Sequence, residues 1–443
     1  MTDDDLWRLG PVYTESDRTL ARLVARPVRE FLRVETAGSI LLLLAAAIAL
    51  GWANSPWSES YDAFWHTPIT LDVGALTLED SLQHWVNDAL MVIFFFVVGL
   101  EIKYELAHGD LHDPKTAAVP ILAAVGGMAV PAAIYALVVA GGPGGAGWGI
   151  PMATDIAFAV GVLGLLGRRI PPAARLFLLT LAVVDDIGAI LVIAVFYTGD
   201  LNLVALCVAL GLLGLVVVLR LLRVWATWVY VVVGVLAWLA TLESGVHATL
   251  VGVALGLLTP ATPLLHERVA RGYAQEALAD RSLDADEVYR LRFLLDESIS
   301  IVERLQSRLH PLSAYVVLPV FALANAGVAL GGGVLRESLD SAVALGVGLG
   351  LVVGKPIGIL AASWLAVRLG LGRLPRDTGW LMVAGLGAVG GVGFTVSLFV
   401  AGLSFPGNDL LTEEAKVGIL AGSLVAALVG VAVLFLSPRR TAP

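Results

Sequence analysis

Two adjacent carboxylates, Asp185 and Asp186, lie in the middle of a long apolar segment, residues 176–198. A segment of this length and composition predicts a helix that crosses a membrane. A carboxylate at mid-bilayer costs about 3 kcal/mol on insertion scales, and a second carboxylate beside it adds repulsion. Such a cost is sustained where the carboxylates bind something positive. The pair therefore predicts a site for a cation or a proton.

Three further ionisable residues fall inside apolar segments: Asp155, Lys355 and Asp88. Asp155 follows Pro151 and Thr154, so it fits a helix cap as well as a functional carboxylate. Asp88, nearer the end of its segment, fits either reading equally. Lys355 lies about 14 residues, roughly 20 Å, from either end of its segment, which is beyond the reach of a lysine side chain. We therefore expect Lys355 to pair with a carboxylate or to lose its proton.

The two members of the aspartate pair need not have the same role. Adjacent residues of a helix point about 100° apart. One carboxylate can then face a water-filled cavity while the other faces a neighbouring helix. Pairing of Lys355 with Asp185, leaving Asp186 in the cavity, is one such arrangement. The reverse is the other, and spacing does not choose between them.

The composition predicts a protein with many membrane-spanning segments. Of its 443 residues, 58% are hydrophobic and 15% charged, which soluble domains do not show. The single cysteine, Cys207, excludes an internal disulfide and a cysteine-based metal site. Residues 1–35 are charged and lack the apolar core of a signal peptide. No stretch combines basic and aromatic residues as nucleic-acid binding requires.

Twelve apolar segments are long enough to be candidate spans. They cover residues 37–54, 83–106, 116–139, 149–167, 173–198, 202–220, 224–242, 245–260, 312–332, 341–369, 379–404 and 414–437. Lys and Arg are concentrated in alternate loops, so the positive-inside rule puts both termini in the cytoplasm. This predicts a cytoplasmic N-terminal arm (1–35), a single transmembrane domain (36–437) with a cytoplasmic loop (261–311), and a cytoplasmic tail (438–443).

Local patterns predict further elements outside and within the spans. Residues 67–80 alternate polar and apolar side chains around Gly74, which favours a short extracytoplasmic β-hairpin. Residues 264–310 are charged and helix-prone. Residues 149–162 and 387–398 carry Gly, Pro or Thr inside apolar runs. Broken spans in both halves of a transporter indicate a substrate site near the midplane. At such breaks a carboxylate suits the helix N-termini and a lysine the C-termini, which are the roles expected of Asp155 and Lys355.

Three residues near the ends of spans are candidates for a response to pH. His247 lies at the predicted extracytoplasmic start of a short span, where a histidine titrates near neutral pH. An ordinary interfacial histidine is the alternative. Glu101 and Glu105 lie in a charged helix end that is predicted to be cytoplasmic. They form either a pH-sensitive cluster or a solvated helix end, and the first is favoured because Glu101 is within one turn of the apolar run.

Taken as a set, several motifs resemble the NhaA-type sodium/proton antiporters. The resemblance covers residues 36–437, in order and with similar spacing. It is carried by FFFVVGLEIKYEL (94–106), GIPMATDIAFAVGVLGLLG (149–167), LAVVDDIGAILVIAVFYT (181–198), SGVHATL (244–250), LPVFALANAG (318–327), GKPIG (354–358) and GVGFT (391–395).

The resemblance implies an all-α membrane fold of twelve transmembrane helices with inverted repeats, whose broken helices, spans 4 and 11, cross. It implies electrogenic export of Na⁺ or Li⁺ in exchange for H⁺ across a bacterial inner membrane, with no enzymatic activity and no cofactor. It also implies a homodimer contact through the 67–80 hairpin. By the same resemblance, the cation and the proton bind at Asp185, Asp186 and Thr154. Charge compensation with proton coupling is implied for Asp155 and Lys355. A response to pH is implied for Glu101, Glu105 and His247.

One departure and three competing functions accompany this interpretation. Tyr104 stands where the family often has a basic residue, which affects the expected pH profile and not the transport chemistry. A sodium-coupled symporter would need polar residues for an organic solute, which the sequence does not obviously supply. An intramembrane aspartyl protease needs carboxylates from two helices, whereas adjacent aspartates on one helix diverge. A scaffold role leaves the cost of the buried charges unexplained.

Overall fold

Helices form most of the chain in the computed structural model, which describes residues 37–73, 76–199, 201–222, 224, 226–279, 284–331, 340–375 and 377–437. The predicted arm 1–35 and tail 438–443 lie outside these residues. The helices are α1 (Ala37–Ala53), α2 (Ser58–Trp65), α3 (Leu82–Ala107), α4 (Pro114–Val139), α5 (Ile156–Leu166), α6 (Pro172–Phe196), α7 (Leu203–Leu221), α8 (Thr227–Leu242), α9 (Thr249–Leu258), α10 (Glu267–Ala279), α11 (Ala285–Glu297), α12 (Ile301–Asn325), α13 (Ala342–Arg368), α14 (Trp380–Gly390), α15 (Phe394–Ser404) and α16 (Asp409–Leu436).

The lengths and composition of the helices confirm a membrane protein with many spans. Within the described residues, eight helical segments are long and apolar enough to cross a membrane, or up to ten if each of two bent pairs is one span. The bent pairs are α1 with α2, at 116°, and α14 with α15, at 47°. Helices α8 and α9 are apolar but shorter. The count of twelve spans stays a prediction.

Helix α7 has the surface expected of a span that faces lipid. Many of its large apolar side chains are turned outward, and Leu203, Val204 and Leu221 are each at least two-thirds exposed. In a soluble protein such a face would be an unusually large exposed apolar patch. Lipid chains can cover these side chains, so their exposure fits a position at the edge of the helical bundle.

A β-hairpin forms where alternation of polar and apolar residues predicts one. Strands β1 (Pro68–Val73) and β2 (Leu76–Ser81) are antiparallel, with Ile69 opposite Asp80 and Leu71 opposite Leu78. The turn, including Gly74, lies outside the described residues. The prediction of a hairpin over residues 67–80 is therefore confirmed.

The charged segment 264–310 is largely helical, and it runs directly into a span. Helix α11 begins with a capping box, in which Asp284 and Glu287 each bond the other's backbone N–H, at 2.8 and 3.1 Å. Helix α12 begins at Ile301, after the N-cap Ser300, and not at residue 312 as predicted. The prediction of this start was wrong because the first turns of α12 carry charged residues, which an apolar run does not include.

Two interruptions of the helical backbone lie against each other. A 3₁₀ helix, Gly145–Met152, ends before α5, and residues 153–155 between them are extended. Residues 391–393 separate α14 from α15. The Asp155 N–H donates to the Val392 carbonyl at 2.7 Å, and the Ser397 hydroxyl donates to the Ile150 carbonyl at 2.7 Å. Backbone groups freed by one interruption are therefore satisfied by the other, as a non-aqueous interior requires.

Close packing of α4 and α13 places Lys355. A π-helical turn, Gly350–Gly354, precedes this lysine within α13. At Gly354 a Cβ atom would come within 2.8 Å of the Pro131 Cα on α4, so only glycine allows the two backbones to approach this closely. A π turn contains one more residue than a turn of α-helix, so it changes the direction of the side chains that follow. Lys355, the first residue after the turn, is thereby fully buried.

Candidate functional site

Asp185 is bound by groups from two separate segments of the chain. Its carboxylate forms an ion pair with the Lys355 ammonium, and its Oδ2 accepts a hydrogen bond from the Thr154 hydroxyl at 2.7 Å. The side chains of both Asp185 and Lys355 are 0% exposed. Of the two arrangements compatible with the sequence, the structure has Lys355 on Asp185. The second carboxylate oxygen, Oδ1, is buried without a hydrogen-bond partner among the described residues.

The Thr154 hydroxyl links this ion pair to the break after α14. Its oxygen accepts from the Lys355 Nζ at 3.0 Å and lies 2.7 Å from the Asp185 Oδ2 and 2.8 Å from the Gly390 carbonyl oxygen. A hydroxyl has one proton to donate. Thr154 therefore donates to the carboxylate or to the carbonyl, and the charge state of Asp185 decides which.

Asp186 points away from Lys355 and into a cavity. The roughly 100° between successive residues of a helix separates the two carboxylates of α6 in this way. Asp186 is 5% exposed, and its Oδ1 is also buried without a hydrogen-bond partner in the described parts of the chain. The cavity holds about 130 Å³. Its polar and titratable lining residues include Ser39, Glu101, Thr154, Asp155, Asp186, His310 and Thr395.

Asp155 caps the N-termini of two helices at once. Its Oδ1 accepts from the Phe158 N–H of α5 at 2.9 Å. Its Oδ2 accepts from the N–H and the hydroxyl of Thr395, in the first turn of α15, at 3.0 and 2.7 Å. No side chain of its own segment caps α15 at Gly393. A carboxylate is favourable beside helix N-termini, where unpaired N–H groups carry partial positive charge.

Replacing Asp155 with alanine is expected to lower the free energy of unfolding by about 2 kcal/mol or more, because each lost cap costs about 1 kcal/mol and two helices lose theirs. Unfolding of the purified protein in detergent would measure this. Asn202→Ala is the matched control, since Asn202 caps only α7, through the N–H groups of Val204 and Ala205. Equal losses in the two variants would contradict the double-cap interpretation.

Glu101 lies in the wall of the same cavity as Asp186, so the structure brings these two predicted residues together. Glu105, one turn further along α3, is half-buried and is not part of the lining. His310, which also lines the cavity, is absent from the sequence-based candidates because it was assigned to a loop. The signal that would have found it is the Ser300 cap, which extends α12 back over His310.

The remaining candidates lie away from the cavity. The His247 Nε2 is 2.6 Å from the Tyr197 carbonyl oxygen, between α8 and α9. Asp88 lies in a π-helical turn, Val86–Leu90, outside the cavity wall.

Lys355 makes its described side-chain bonds to Asp185 and Thr154, and not to the carbonyl groups at a helix C-terminus. The role expected of Lys355 beside C-terminal helix ends stays a prediction. The site thus consists of a neutralised carboxylate, Asp185, next to a carboxylate without a cation, Asp186. Two of their oxygens have no partner among the described residues.

The sequence is similar to known proteins over nearly the whole chain. The family described as Na⁺/H⁺ antiporter 1 matches residues 29–434. The Na⁺/H⁺ antiporter NhaA of Rhodopirellula baltica is 49% identical over 92% of this chain and 93% of its own. NhaA 2 of Sorangium cellulosum is 48% identical over 98% and 94%, and NhaA 3 of Frankia alni is 49% identical over 93% and 89%. Motif, composition and similarity thus lead to one conclusion: the chain belongs to the Na⁺/H⁺ antiporter 1 family, together with the NhaA antiporters.

Proposed function

We propose that this protein exchanges Na⁺ for H⁺ across a membrane, with Asp185 and Asp186 as the joint site for the two ions and Thr154 as a neighbouring ligand. The observation that supports this most directly is the pair of buried, unpartnered carboxylate oxygens, one on each aspartate. Hard cations such as Na⁺ prefer carboxylate and hydroxyl oxygens. Na⁺ is the cargo here, so the proposal requires no resident metal or cofactor, and the family is one of transporters.

Exchange follows from competition for the same oxygens. With both carboxylates deprotonated, Na⁺ binds between them, and protonation from the opposite side releases it. Binding of Na⁺ at Asp185 weakens the attraction that holds Lys355, so the ammonium can leave its partner and give up its proton. The second proton comes from Asp186. Two protons for one Na⁺ move one net charge, and each charge gains about 2.3 kcal/mol from a potential of 100 mV. We therefore propose electrogenic export of Na⁺, or of Li⁺, driven by the membrane potential.

The two backbone breaks support a midplane crossing of broken spans. In the proposed architecture, twelve spans contain inverted repeats, and the breaks at 153–155 and 391–393 belong to spans 4 and 11. The hydrogen bond between Asp155 and Val392 joins them. Asp155 compensates the two facing helix N-termini, and Lys355 supplies positive charge through its pair with Asp185. Alternating access then needs only one group of helices to move against the other around this fixed site.

Glu101, Glu105 and His247 are proposed to adjust the pH dependence of exchange. Glu101 is the best placed of these, because it shares the cavity with Asp186. Tyr104 lies against His108, with ring centroids 5.6 Å apart, in place of a basic side chain. Glu101, Glu105 and His247 are therefore expected to shift the pH profile of exchange without being essential for it.

We further propose that the protein lies in a bacterial inner membrane with both termini in the cytoplasm, and that the hairpin of β1 and β2 contacts a second copy. The alternation of Lys and Arg among the loops supports this orientation. A hairpin of two strands is only marginally stable when isolated, which favours its packing against another surface.

Lowering the pH is expected to raise the Na⁺ concentration needed for half-maximal exchange, by up to about tenfold per unit for each competing proton. The sign follows because protons occupy the carboxylates that Na⁺ needs. Na⁺-dependent collapse of a pH gradient in everted vesicles, measured across pH and Na⁺ concentration, tests this. The maximal rate should be restored at acidic pH by excess Na⁺. A purely non-competitive loss at low pH would contradict a shared site.

A further inference from the structure

A closed seam lies between α3 and α12, which run antiparallel. On one part of the seam the two helices line the cavity that contains Asp186. Helix α3 contributes residues from Phe94 to Glu101, and α12 contributes residues from His310 to Leu318. Beyond the cavity, toward the β-hairpin, α12 continues for about two turns, roughly 10 Å, and α3 for about three turns, roughly 18 Å. The cavity does not follow the seam in that direction, so the contacts there decide whether Asp186 can be reached from the hairpin side.

Aromatic rings pack beside the cavity along the seam. Phe95 of α3 and Phe321 of α12 both lie against Phe399 of α15, with ring centroids 5.2 and 6.5 Å apart. All three side chains are buried. Aromatic contacts of this kind bury a large apolar area and so fill space and exclude water.

The next contact along the seam is a reciprocal pair of amides. The Asn325 Nδ2 donates to the Asn87 Oδ1 at 2.8 Å, and the Asn87 Nδ2 donates to the Asn325 Oδ1 at 3.3 Å. Asn325 is 6% exposed. Its amide also donates to the Phe321 carbonyl at 3.0 Å and accepts from Gln83 at 3.3 Å. Buried amides that separate lose these bonds unless water replaces them.

The backbone of each helix departs from regular α-helix at one position along the seam. Asn87 lies in the π-helical turn Val86–Leu90, and a second π turn, Ser313–Val317, interrupts α12 within the cavity wall. A π turn weakens the regular ladder of backbone hydrogen bonds and often occurs where helices change shape. Both helices of the seam therefore contain a position at which they can bend without unfolding.

From this geometry we propose that the Asn87–Asn325 pair is a latch that holds the seam closed on the hairpin side and must separate whenever Asp186 is exposed to that side. The inference rests on the proposed exchange, which requires access from both sides in turn. The amides do not bind the transported ion. They set the free-energy difference between the two access states, so they control how the protein is distributed between them.

Breaking the latch should favour the state that is open toward the hairpin. One net hydrogen bond contributes about 1 kcal/mol, or about fivefold in an equilibrium constant. Asn87→Leu is therefore expected to raise at least about fivefold the rate at which a membrane-impermeant maleimide, added on the hairpin side, modifies a cysteine placed at Val97 in the cavity wall. The native Cys207 is replaced by serine throughout.

Asn54→Leu is the matched control for this labelling. Asn54 also bonds the segment after α12, through Val328 and Leu330 at 2.7 and 2.6 Å, but it directly follows α1 and is not in the α3–α12 seam. Labelling should be unchanged in this variant. An equal rise in both variants, or in neither, would overturn the latch. Labelling does not depend on transport, so it tests the latch even if the protein does not exchange Na⁺ for H⁺.

Locking the seam gives a second, independent test. In the Cys207→Ser protein, Asn87→Cys with Asn325→Cys would be joined by a short bis-methanethiosulfonate and later released by reductant. We expect at least a tenfold loss of Na⁺/H⁺ exchange in proteoliposomes, full recovery on reduction, and unchanged binding of ²²Na⁺ in detergent. Undiminished exchange while cross-linked would overturn the latch. Absence of exchange in the Cys207→Ser parent would instead contradict the proposed function.

Discussion

Asp186→Asn is expected to abolish Na⁺/H⁺ exchange, with a loss of about a hundredfold or more. The variant keeps the size of the side chain and removes the negative charge of Asp186 from the cavity wall. Leaving a cation in a buried site without its anionic partner costs about 3 kcal/mol or more, which corresponds to a factor of at least a hundred. Na⁺-dependent collapse of a pH gradient in everted vesicles would measure the loss, with protein amounts matched by immunoblot.

Asp80→Asn provides the control for charge removal alone. Asp80 is an exposed carboxylate of β2 that pairs with His84 at 3.3 Å and lies outside the cavity. The Asp80→Asn variant should exchange ions at the rate of the parent protein. If Asp186→Asn retained the parent rate while Asp185→Asn lost it, Asp185 alone would be the ion site and the joint assignment would be wrong.

Lys355→Met is expected to lower the free energy of unfolding by about 3–5 kcal/mol, because it leaves Asp185 buried without its counter-ion. Adding Asp185→Asn to this variant should recover most of the loss, since both charges are then removed together. Urea or thermal unfolding in detergent would give the free energies. The coupling between the two positions follows from the double-mutant cycle.

A second ion pair in the same protein calibrates this measurement. Lys416 and Glu413 are 2.8 Å apart on α16, and Glu413 keeps about a third of its side chain exposed. Lys416→Met should therefore cost no more than about 1 kcal/mol. If Lys355→Met and the double variant were equally destabilised, packing of the lysine stem, and not its charge, would account for the effect.

Features that depend on short stretches of sequence were predictable. The spans follow from runs of apolar residues, because only a helix satisfies its own backbone in lipid. The hairpin follows from alternation over residues 67–80. The start of α12 was missed because Arg304 and Arg308 interrupt the apolar run while the helix continues through them. His310 was missed for the same reason.

Features that join distant segments were only partly predictable. The sequence indicates that Lys355 pairs with a carboxylate or loses its proton, but the choice between Asp185 and Asp186 as partner depends on how α6 is rotated against α13. The capping of α15 by Asp155 joins residues 240 positions apart. No local pattern predicts that Thr395, and not a residue before α15, faces this carboxylate. Such contacts are set by how the helices pack, which composition and periodicity leave open.

The single proton of the Thr154 hydroxyl makes the Gly390 carbonyl an indicator of what occupies the site. While Asp185 is anionic, its Oδ2 competes with this carbonyl for the hydroxyl. Neutralising Asp185, by a proton or by Na⁺, frees the hydroxyl to turn toward Gly390. The stretching frequency of that one carbonyl would then fall as the carboxylate is neutralised. A vibrational label at residue 390 could therefore follow each turnover from within the protein, without a reporter dye and without altering a charged residue.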